Sequence, residues 1–556
     1  EYKYVLPDGN EYADPASFYQ PKGVHAPSRV VDHSRYEWQD SDWQGKPVSE
    51  YIIYELHVGT FTAEGTFDAA RRRLTYLADL GITAVEIMPV AQFPGDRNWG
   101  YDGAYPFAVQ HSYGGPDGLK AFVDAAHDLG MAVILDVVYN HLGPEGNYLW
   151  AYAPYFTDKY QTPWGNAVNY DDAYSTGVRR YFIENALYWL DLFHVDALRL
   201  DAVHGIYDTG AKHFLKEMQE EVERFSAQDG RARYLIAESD LNDVRVINPP
   251  EKGGFGLAAQ WADDLHHSLH VALTGEGKGY YEDFTGPGAL AASLARAFLY
   301  DWKYSPHRKR YHGSSAEGIP ADKFVVAIQN HDQVGNRMKG ERLAALIPFE
   351  ACKLAAGIIL LSPYIPLIFM GEEFGEDNPF LYFVSHTDPG LIEAVRRGRK
   401  EEFRSFAWKE EPPDPQSVAT FMASKVDWDK LENKRNFAMH SFYKGLIRLR
   451  RGLPAFTQFD RDAFEVRSES DSAVLYTRRT HPDGAVYCVY NFSDSERSCV
   501  MPFTAGTGSL VRCFESSDTV WNGPGGDLAE VIDPEDPVRL AAHSFAVLKE
   551  GEHYGK

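Results

Sequence analysis

Cysteine, positive charge and long apolar runs are all scarce in this chain. Only 4 cysteines occur among 556 residues, with no CxxC pair, so we expect no disulfide scaffold and a reducing cytoplasm as the compartment. The net charge of −25 argues against nucleic acid as a partner, because binding its phosphates requires a basic surface. No apolar stretch reaches the roughly 18 residues that a membrane span needs, and no signal peptide is visible, so no membrane association is expected.

Aromatic residues, by contrast, are abundant at 14% of the chain. Composition alone fits a large hydrophobic core and a sugar-binding groove lined with rings about equally well. The acidic balance suits a soluble protein with a neutral polyhydroxy substrate. The length predicts two or three domains, one of them large enough to be a barrel.

From residue 51 onward, apolar runs of strand length alternate with segments whose apolar residues recur at helical spacing. Helices are predicted at 175–192 and 211–225. Strands are predicted at 51–58, 82–88, 131–136, 195–201, 233–238, 258–263, 323–328 and 365–369. This alternation predicts parallel strands with right-handed crossovers. Eight repeats without a phosphate-binding glycine turn predict an α/β fold of the closed (β/α)8 TIM-barrel type rather than an open sheet.

Three domains are predicted along the chain. Residues 1–48 are interpreted as the remnant of an N-terminal β-domain with a linker, since the single opening strand is not stable by itself. Residues 49–455 form the barrel, and residues 456–556, with short alternating strands, form a C-terminal antiparallel β-sandwich. Residues 142–174, rich in Gly, Pro, Tyr and Asn, are a loop insertion after the third strand that builds a binding surface.

Four predicted strands end in acidic, histidine or arginine residues. They are Asp-Val-Val-Tyr-Asn-His at 136–141, Leu-Arg-Leu-Asp-Ala-Val-His at 198–204, Ile-Ala-Glu-Ser at 236–239 and Ile-Gln-Asn-His-Asp at 328–332. Barrel enzymes carry their chemistry at the carboxyl ends of the inner strands, so these segments predict one shared pocket. Converging carboxylates in such a pocket suffice for glycoside hydrolysis.

Each acid has a functional and a structural interpretation. Arg199 and Asp201 lie two apart on a strand and share a side, where the guanidinium keeps the carboxylate ionised as a nucleophile needs. A structural ion pair explains them equally well. Glu238 ends an apolar strand, and a desolvated carboxyl there suits a general acid; alone, a solvated strand-end acid would be simpler. Asp332 is either a third pocket carboxylate or a helix cap.

The histidines do not predict a metal site. His141 and His331 lie in no HExxH motif, so sugar hydrogen bonding or ordinary burial explains them better. His266 and His267 follow two aspartates, but adjacent residues on a strand face opposite ways and would chelate poorly. The chain also lacks the G-x-S-x-G of a serine nucleophile elbow.

With these motifs, the chain from residue 51 onward resembles the α-amylase superfamily of retaining glycoside hydrolases, glycoside hydrolase family 13. The resemblance implies that Asp201 is the nucleophile, Glu238 the acid/base and Asp332 the transition-state stabiliser. It implies no cofactor. It further implies contacts to the sugar in the cleavage subsite from Arg199, His141, His331 and the stacking ring of Tyr101 in Trp-Gly-Tyr-Asp at 99–102.

Within the superfamily, segments 54–60, 91–95, 260–267 and 329–336 are most similar to the maltooligosyltrehalose trehalohydrolases. These enzymes cut the α-1,4 bond next to the terminal trehalose unit, and a maltooligosyltrehalose synthase is the implied functional partner. Trp164 resembles an acceptor-side platform, although a loop-packing tryptophan is an alternative. Further substrate contacts are implied for His204, Asp263, Asp264, His266, His267, Gln333 and Asn336.

Three other functions remain open at this stage. A branching or transfer enzyme uses the same acids but passes the glycosyl group to another sugar, and a plain α-amylase-type hydrolase would not require the trehalose cap. An inactive barrel serving as a scaffold is a third alternative. Intact Asp201, Glu238 and Asp332 argue against that last function. Family members usually carry a whole N-terminal β-sandwich, of which only the last strand is expected here.

Overall fold

Eight parallel strands form a closed barrel, which confirms the predicted fold class. The computed structural model describes residues 1–286, 288–402, 411–469, 473–503 and 508–551. The strands follow one another around the ring in chain order. They are β1 Ile53–Leu56, β2 Ala84–Ile87, β3 Ala132–Val137, β4 Ala197–Leu200, β5 Tyr234–Ala237, β6 Ala259–Trp261, β7 Phe324–Ala327 and β8 Ile365–Phe369.

Helices separate most of the neighbouring barrel strands, as the apolar spacing predicts, whereas β5 and β6 are joined through the short 3-10 turns Val244–Val246 and Pro250–Lys252. The longer ones are Gly115–Asp128, Ser175–Leu192, Phe214–Asp229, Asp263–Thr274, Ala289–Arg296, Phe349–Leu361, Pro389–Glu402 and Lys434–Gly452. Shorter ones span Val58–Phe61, Phe67–Arg71, Leu74–Leu80, Leu149–Tyr152, His331–Gly335, Leu343–Leu346 and Val418–Ala423. None in the described part of the chain is long and apolar enough to cross a membrane.

The helix Gly115–Asp128 illustrates why these segments fold as they do. Its buried residues Leu119, Phe122, Val123 and Ala126 recur at helical spacing and form one apolar stripe. Shortly after the helix ends, Gly130 adopts a φ of 73°, a left-handed conformation that glycine tolerates without steric cost. The chain then enters β3, all of whose residues are buried.

The chain divides into two compact units. The first comprises residues 1–261, 331–340 and 378–426, and the second comprises residues 262–330, 341–377 and 427–556. The predicted boundaries at 48/49 and 455/456 stay a prediction. In the second unit, a six-stranded antiparallel sheet has the order Phe464–Glu469, Val474–Arg479, Val486–Asn491, Ser544–Glu550, Leu510–Glu515 and Val531–Ile532. This sheet confirms the C-terminal antiparallel domain.

In the first unit, the N-terminal segment packs on the insertion after β3. A short hairpin pairs Tyr4–Val5 with Glu11–Tyr12, where one strand and a turn were expected. The insertion contains the helix Leu149–Tyr152 and the hairpin Phe156–Thr162/Gly165–Val168. The Tyr152 hydroxyl donates to the carbonyl of Ala13 over 2.8 Å, which joins the two segments. The origin of residues 1–48 in a β-sandwich stays a prediction.

A buried ion cluster joins the residues before β1 to the barrel. His127 lies between two carboxylates, with Nδ1 2.8 Å from Asp40 and Nε2 2.9 Å from Asp196. Trp43 stacks on the imidazole and donates its indole N–H to Asp196 over 2.7 Å. Burial would lower the pKa of His127, but Asp196 and Asp40 outweigh it and raise the pKa to about 9.

Because of this cluster, we expect the stability of the protein to decrease at alkaline pH. The folded pKa of His127, about 9, exceeds its ordinary value of 6.5, so the stabilisation is complete below the ordinary value. It is lost as pH rises through the folded pKa. Replacing the histidine (His127→Gln) removes one partner of a buried pair and should cost about 3–5 kcal/mol in the free energy of unfolding near neutral pH.

Urea unfolding of wild type and His127→Gln, from neutral pH to above the folded pKa of about 9, measures the difference in the free energy of unfolding. The difference between the two proteins should shrink towards alkaline pH. His481→Gln provides a matched control, because His481 pairs with the exposed carboxylate of Asp483 and should change little. A difference that stays constant with pH would contradict the assignment.

Candidate active site

The three predicted catalytic acids all lie in the first compact unit, at or beyond the carboxyl ends of barrel strands. Asp201 directly follows β4, Glu238 directly follows β5, and Asp332 lies in the short helix His331–Gly335. Their side chains are 12%, 14% and 38% exposed, respectively, so all three are accessible to a ligand. A continuous network of contacts links them.

Arg199 on β4 is the centre of this network. Its side chain is 0% exposed, and Nη1 donates to both oxygens of Asp136, over 3.0 and 2.9 Å, and to Oδ1 of Asp201 over 3.0 Å. Its Nη2 lies 3.8 Å from Oε2 of Glu238. The guanidinium also lies over the Trp261 ring, 4.3 Å from its centroid. One buried cation therefore holds two of the predicted acids and a third carboxylate.

Asp201 has a second fixed partner. The side-chain amide of Asn140 donates to its Oδ2 over 2.6 Å and to its main-chain carbonyl over 2.9 Å. Both carboxylate oxygens of Asp201 therefore accept hydrogen bonds, one from a cation and one from an amide. This arrangement fixes the orientation of an ionised carboxylate, which a nucleophile requires.

Glu238 is held by the residue that follows Asp201. The backbone N–H of Ala202 donates to Oε2 of Glu238 over 2.5 Å. Ala202 adopts a φ of 39°, the left-handed region that a residue with a Cβ rarely occupies. Such conformations cluster at functional sites, where surrounding contacts hold them. The strained turn is what aims this N–H at the carboxylate.

Tyr101 connects Asp136 to the helix that carries Asp332. Its hydroxyl lies 2.6 Å from Oδ2 of Asp136 and 2.6 Å from Nε2 of His331, whose ring stacks on it. His331 Nε2 is in turn 3.5 Å from Oδ2 of Asp332. The preceding residue, Gly100, has a φ of 110°, and a Cβ there would lie 2.1 Å from the carbonyl oxygen of Pro89. Only glycine fits beside this tyrosine.

Burial and neighbouring charges together set the pKa values in this network. Burial raises the pKa of Asp136 to about 7, opposed by the Arg199 guanidinium. For His331, burial would lower the pKa, but Asp332 and Glu55 outweigh it and raise it to about 9. Burial lowers the pKa of His141 instead. Of the two histidines predicted to contact the sugar, His331 therefore favours the protonated form near neutral pH and His141 favours the neutral form.

His141 and Trp164 form a stacked pair at the insertion. Their ring centroids are 4.6 Å apart and the planes differ by 5°. His141 Nε2 lies 3.0 Å from the carbonyl of Tyr101, while Trp164 is 50% exposed. An exposed tryptophan beside a predicted sugar-binding histidine is consistent with a stacking platform, and its packing on His141 fits the loop-packing alternative too.

Three further predicted contacts lie near this network. Asn336 donates its side-chain amide to Oδ1 of Asp332 over 3.2 Å. Gln333 occupies the same short helix as Asp332 and is partly buried. His204 lies in the turn Val203–Gly205 and accepts from the N–H of Asp240 over 3.3 Å.

Residues 263–267 belong to the second unit, and the prediction of a strand there is wrong. They begin the helix Asp263–Thr274, because β6 ends at Trp261 and two acids follow in a first turn that favours negative charge. The Asp264 carboxylate accepts from the N–H groups of Leu299 and Tyr300, and His266 is bonded to the carbonyl of Ile328. His267 stacks on Phe284. Substrate contact by Asp263, Asp264, His266 and His267 stays a prediction that rests on resemblance.

Asn140, Asp136 and Glu55 were not assigned roles from the sequence. Asn140 and Asp136 stand in the motif at 136–141, so their position at a strand end was a usable signal. Glu55 lies inside β1 and bonds to His331, 276 residues later in the chain. No local pattern could reveal that pair. Among the described residues, no group of three or more His, Cys, Asp or Glu is placed to hold a metal ion.

Comparisons with known proteins agree with this arrangement. The family model for the alpha-amylase catalytic domain matches residues 15–163. A malto-oligosyltrehalose trehalohydrolase from Saccharolobus solfataricus is 52% identical over 450 residues, which cover 81% of this chain and 77% of the relative. This chain belongs to the malto-oligosyltrehalose trehalohydrolase family.

Two further known proteins are similar to this chain over nearly its whole length. A malto-oligosyltrehalose trehalohydrolase from Mycobacterium tuberculosis is 40% identical, covering 99% of this chain and 92% of the relative. The crystal structure of a candidate alpha amylase from Salmonella typhimurium superposes with a TM-score of 0.87 at 39% identity. It covers 98% of this chain and 90% of that one.

We expect Asn140 to be required for turnover. Asn140→Ala removes the donor that orients Asp201, and such a misplacement should lower kcat by about 100-fold. Steady-state kinetics with maltotriosyltrehalose as the substrate measures the loss. Asn185→Ala is the matched control, since this equally buried amide bonds, within the described part of the chain, to Tyr139, Trp189 and the Pro106 carbonyl and not to Asp201. An Asn140 variant with wild-type kcat would show that Asp201 does not depend on this bond.

Proposed function

We propose that this protein is a retaining glycosidase that hydrolyses the α-1,4-glucosidic bond next to the terminal trehalose unit of maltooligosyltrehalose. The products are trehalose and a maltooligosaccharide. Family membership supports the substrate and the reaction class. The single structural observation that carries the chemistry is the buried guanidinium of Arg199, which contacts both Asp201 and Glu238.

In the proposed mechanism, Glu238 protonates the leaving glycosidic oxygen while Asp201 attacks the anomeric carbon. The C–O bond to the leaving sugar breaks, and a covalent glycosyl–Asp201 ester forms. Glu238, now a carboxylate, takes a proton from water, which attacks the same carbon and releases Asp201. Asp332 stabilises the positive charge that develops on the sugar ring. The reaction needs no cofactor.

The binding roles follow from accessibility. Arg199 is fully buried, so we propose that it acts through Asp201 and Glu238 rather than by touching the sugar. Tyr101 supports the sugar in the cleavage subsite, next to His141 and His331, and the exposed ring of Trp164 supports the trehalose side. His204, Gln333 and Asn336 supply further polar contacts. Asp263, Asp264, His266 and His267 are proposed contacts on resemblance alone.

The cysteines, the net charge and the proposed substrate support a proposal about the compartment and the partners of the protein. All four cysteines are free, which fits a reducing cytoplasm. A maltooligosyltrehalose synthase is the proposed functional partner, because an enzyme must form the trehalose cap before it can be released. The negative net charge continues to argue against nucleic acid as a partner.

A comparison of two substrates tests the proposed function. Maltotriosyltrehalose should be cleaved to trehalose and maltotriose with a much higher kcat/KM than maltopentaose, which has the same number of glucose units without the cap. Chromatography of the products measures both rates. Equal cleavage would favour a plain amylase, and chain transfer without trehalose release would favour a branching enzyme. Either result would refute the proposal.

Two substitutions test the assignment of the acids. Asp201→Ala should abolish turnover, because alanine has no carboxylate that could form the ester. Glu238→Gln should lower kcat by about 10²- to 10⁴-fold, the usual contribution of a general acid. Proton NMR of the first turnover products should show retention, because attack by Asp201 and then by water inverts the anomeric carbon twice. Inversion, or substantial activity of the Asp201 variant, would contradict these roles.

A further inference from the structure

Glu55, on the first barrel strand, makes two hydrogen bonds to the same residue. Its Oε1 lies 2.5 Å from Nδ1 of His331, and its Oε2 accepts the backbone N–H of His331 over 3.0 Å. Both side chains are 1% exposed. A carboxylate buried to this extent is stable only when it is paired. Here one histidine provides the pairing, through its backbone N–H and its ring.

The second ring nitrogen of His331 fixes the number of protons on the imidazole. Tyr101 has one hydroxyl proton, yet its oxygen lies 2.6 Å from both Asp136 Oδ2 and His331 Nε2. Both oxygens of Asp136 accept from Arg199, so Asp136 is the carboxylate acceptor to which Tyr101 donates. His331 must then donate from Nε2 to the tyrosine oxygen. Because Nδ1 donates to Glu55, the ring carries a proton on each nitrogen.

We propose that Glu55 is a positioning residue that holds His331 as an imidazolium and directs its Nε2–H towards Tyr101 and Asp332. The kinetic consequence rests on the function proposed above, whereas the charge state of His331 does not. Without Glu55, a neutral His331 would accept the tyrosine proton, and Tyr101 could no longer donate to Asp136. The orientation of the stacking tyrosine and the charge beside Asp332 would change together.

The charges around His331 agree with this assignment. Asp332 and Glu55 raise the pKa of His331 to about 9 against its burial and the repulsion of Arg199. The ionisable groups that interact with it are Glu55, Glu86, Asp136, Arg199, Asp332 and His57. Of these acids, Glu55 alone is bonded to Nδ1 in the described structure.

Glu86 offers a matched control on the neighbouring strand. It lies directly opposite Glu55 in the register of β1 and β2 and is 0% exposed. Burial raises the pKa of Glu86 well above its ordinary range, so it is a neutral carboxylic acid. Glu86→Gln therefore replaces one neutral group by another of the same shape. It should leave the charge of His331 and the pH dependence of kcat unchanged.

The charge state is tested first, by ¹⁵N NMR of histidine-labelled protein near pH 7.5, with the His331 signals assigned by comparison with His331→Gln. Wild type and Glu86→Gln should show both ring nitrogens protonated. Glu55→Gln should show a neutral ring, because its amide cannot replace the carboxylate charge. A neutral His331 in wild type overturns the proposal even if the Glu55 variant does not fold.

Kinetics tests the consequence on the substrate maltotriosyltrehalose. Glu55→Gln should lower kcat by about 10- to 100-fold near pH 7.5. The ratio of wild-type to variant kcat should narrow at about pH 5.5, where the histidine regains its proton. Glu55→Asp, which keeps the charge, should recover part of the activity. A ratio that is constant across pH overturns the proposal, since a structural defect alone would give that result.

The NMR and kinetic experiments distinguish a failure of this proposal from a failure of the proposed function. If wild type cleaves no trehalose-capped substrate, the function fails, and the NMR comparison still decides whether Glu55 keeps His331 charged. If wild type is active and His331 stays charged in Glu55→Gln, the function stands and the positioning role is refuted.

Discussion

The site depends on one buried cation. Arg199 on β4 contacts Asp136 on β3, Asp201 at its own strand end and Glu238 beyond β5, and it faces the Trp261 ring on β6. A guanidinium without solvent exposure must be compensated where it lies, since an unpaired buried charge costs several kcal/mol. Moving any of these strand ends would weaken that compensation. The interaction that joins four neighbouring strands is therefore the same one that fixes the carboxylates of Asp201 and Glu238.

The charges beneath the site balance. Arg199 is paired with Asp136, and His331, as the proposed imidazolium, is paired with Glu55. Glu86 would be a third buried anion, but neither of its oxygens has a hydrogen-bond partner among the described residues, and its raised pKa keeps it neutral. Within each pair, the carboxylate lies against its cation inside the barrel. Asp201, Glu238 and Asp332 are the acids of this network that remain partly exposed.

The sequence was sufficient for features that depend on local patterns. Buried, largely apolar runs of strand length locate the eight strands, and helical spacing locates Ser175–Leu192 with its observed bounds. Strand-end acids identify Asp201 and Glu238 because a barrel brings such ends together. The helix Asp263–Thr274 was missed because the apolar run before it was extended as a strand. The bond from Glu55 to His331 spans 276 residues and depends on tertiary contacts that no local pattern records.

Adjacent residues in the chain connect the carboxylates of Asp201 and Glu238. Ala202 follows Asp201 in the chain, and its N–H binds the Glu238 carboxylate, so one covalent link and one hydrogen bond connect the pair. The backbone of Glu238 is bonded to that of Leu200 and Val203 on either side. A left-handed alanine costs about 1–3 kcal/mol. A relaxed turn would point this N–H away from Glu238, and the close approach that retention demands would lose its main constraint.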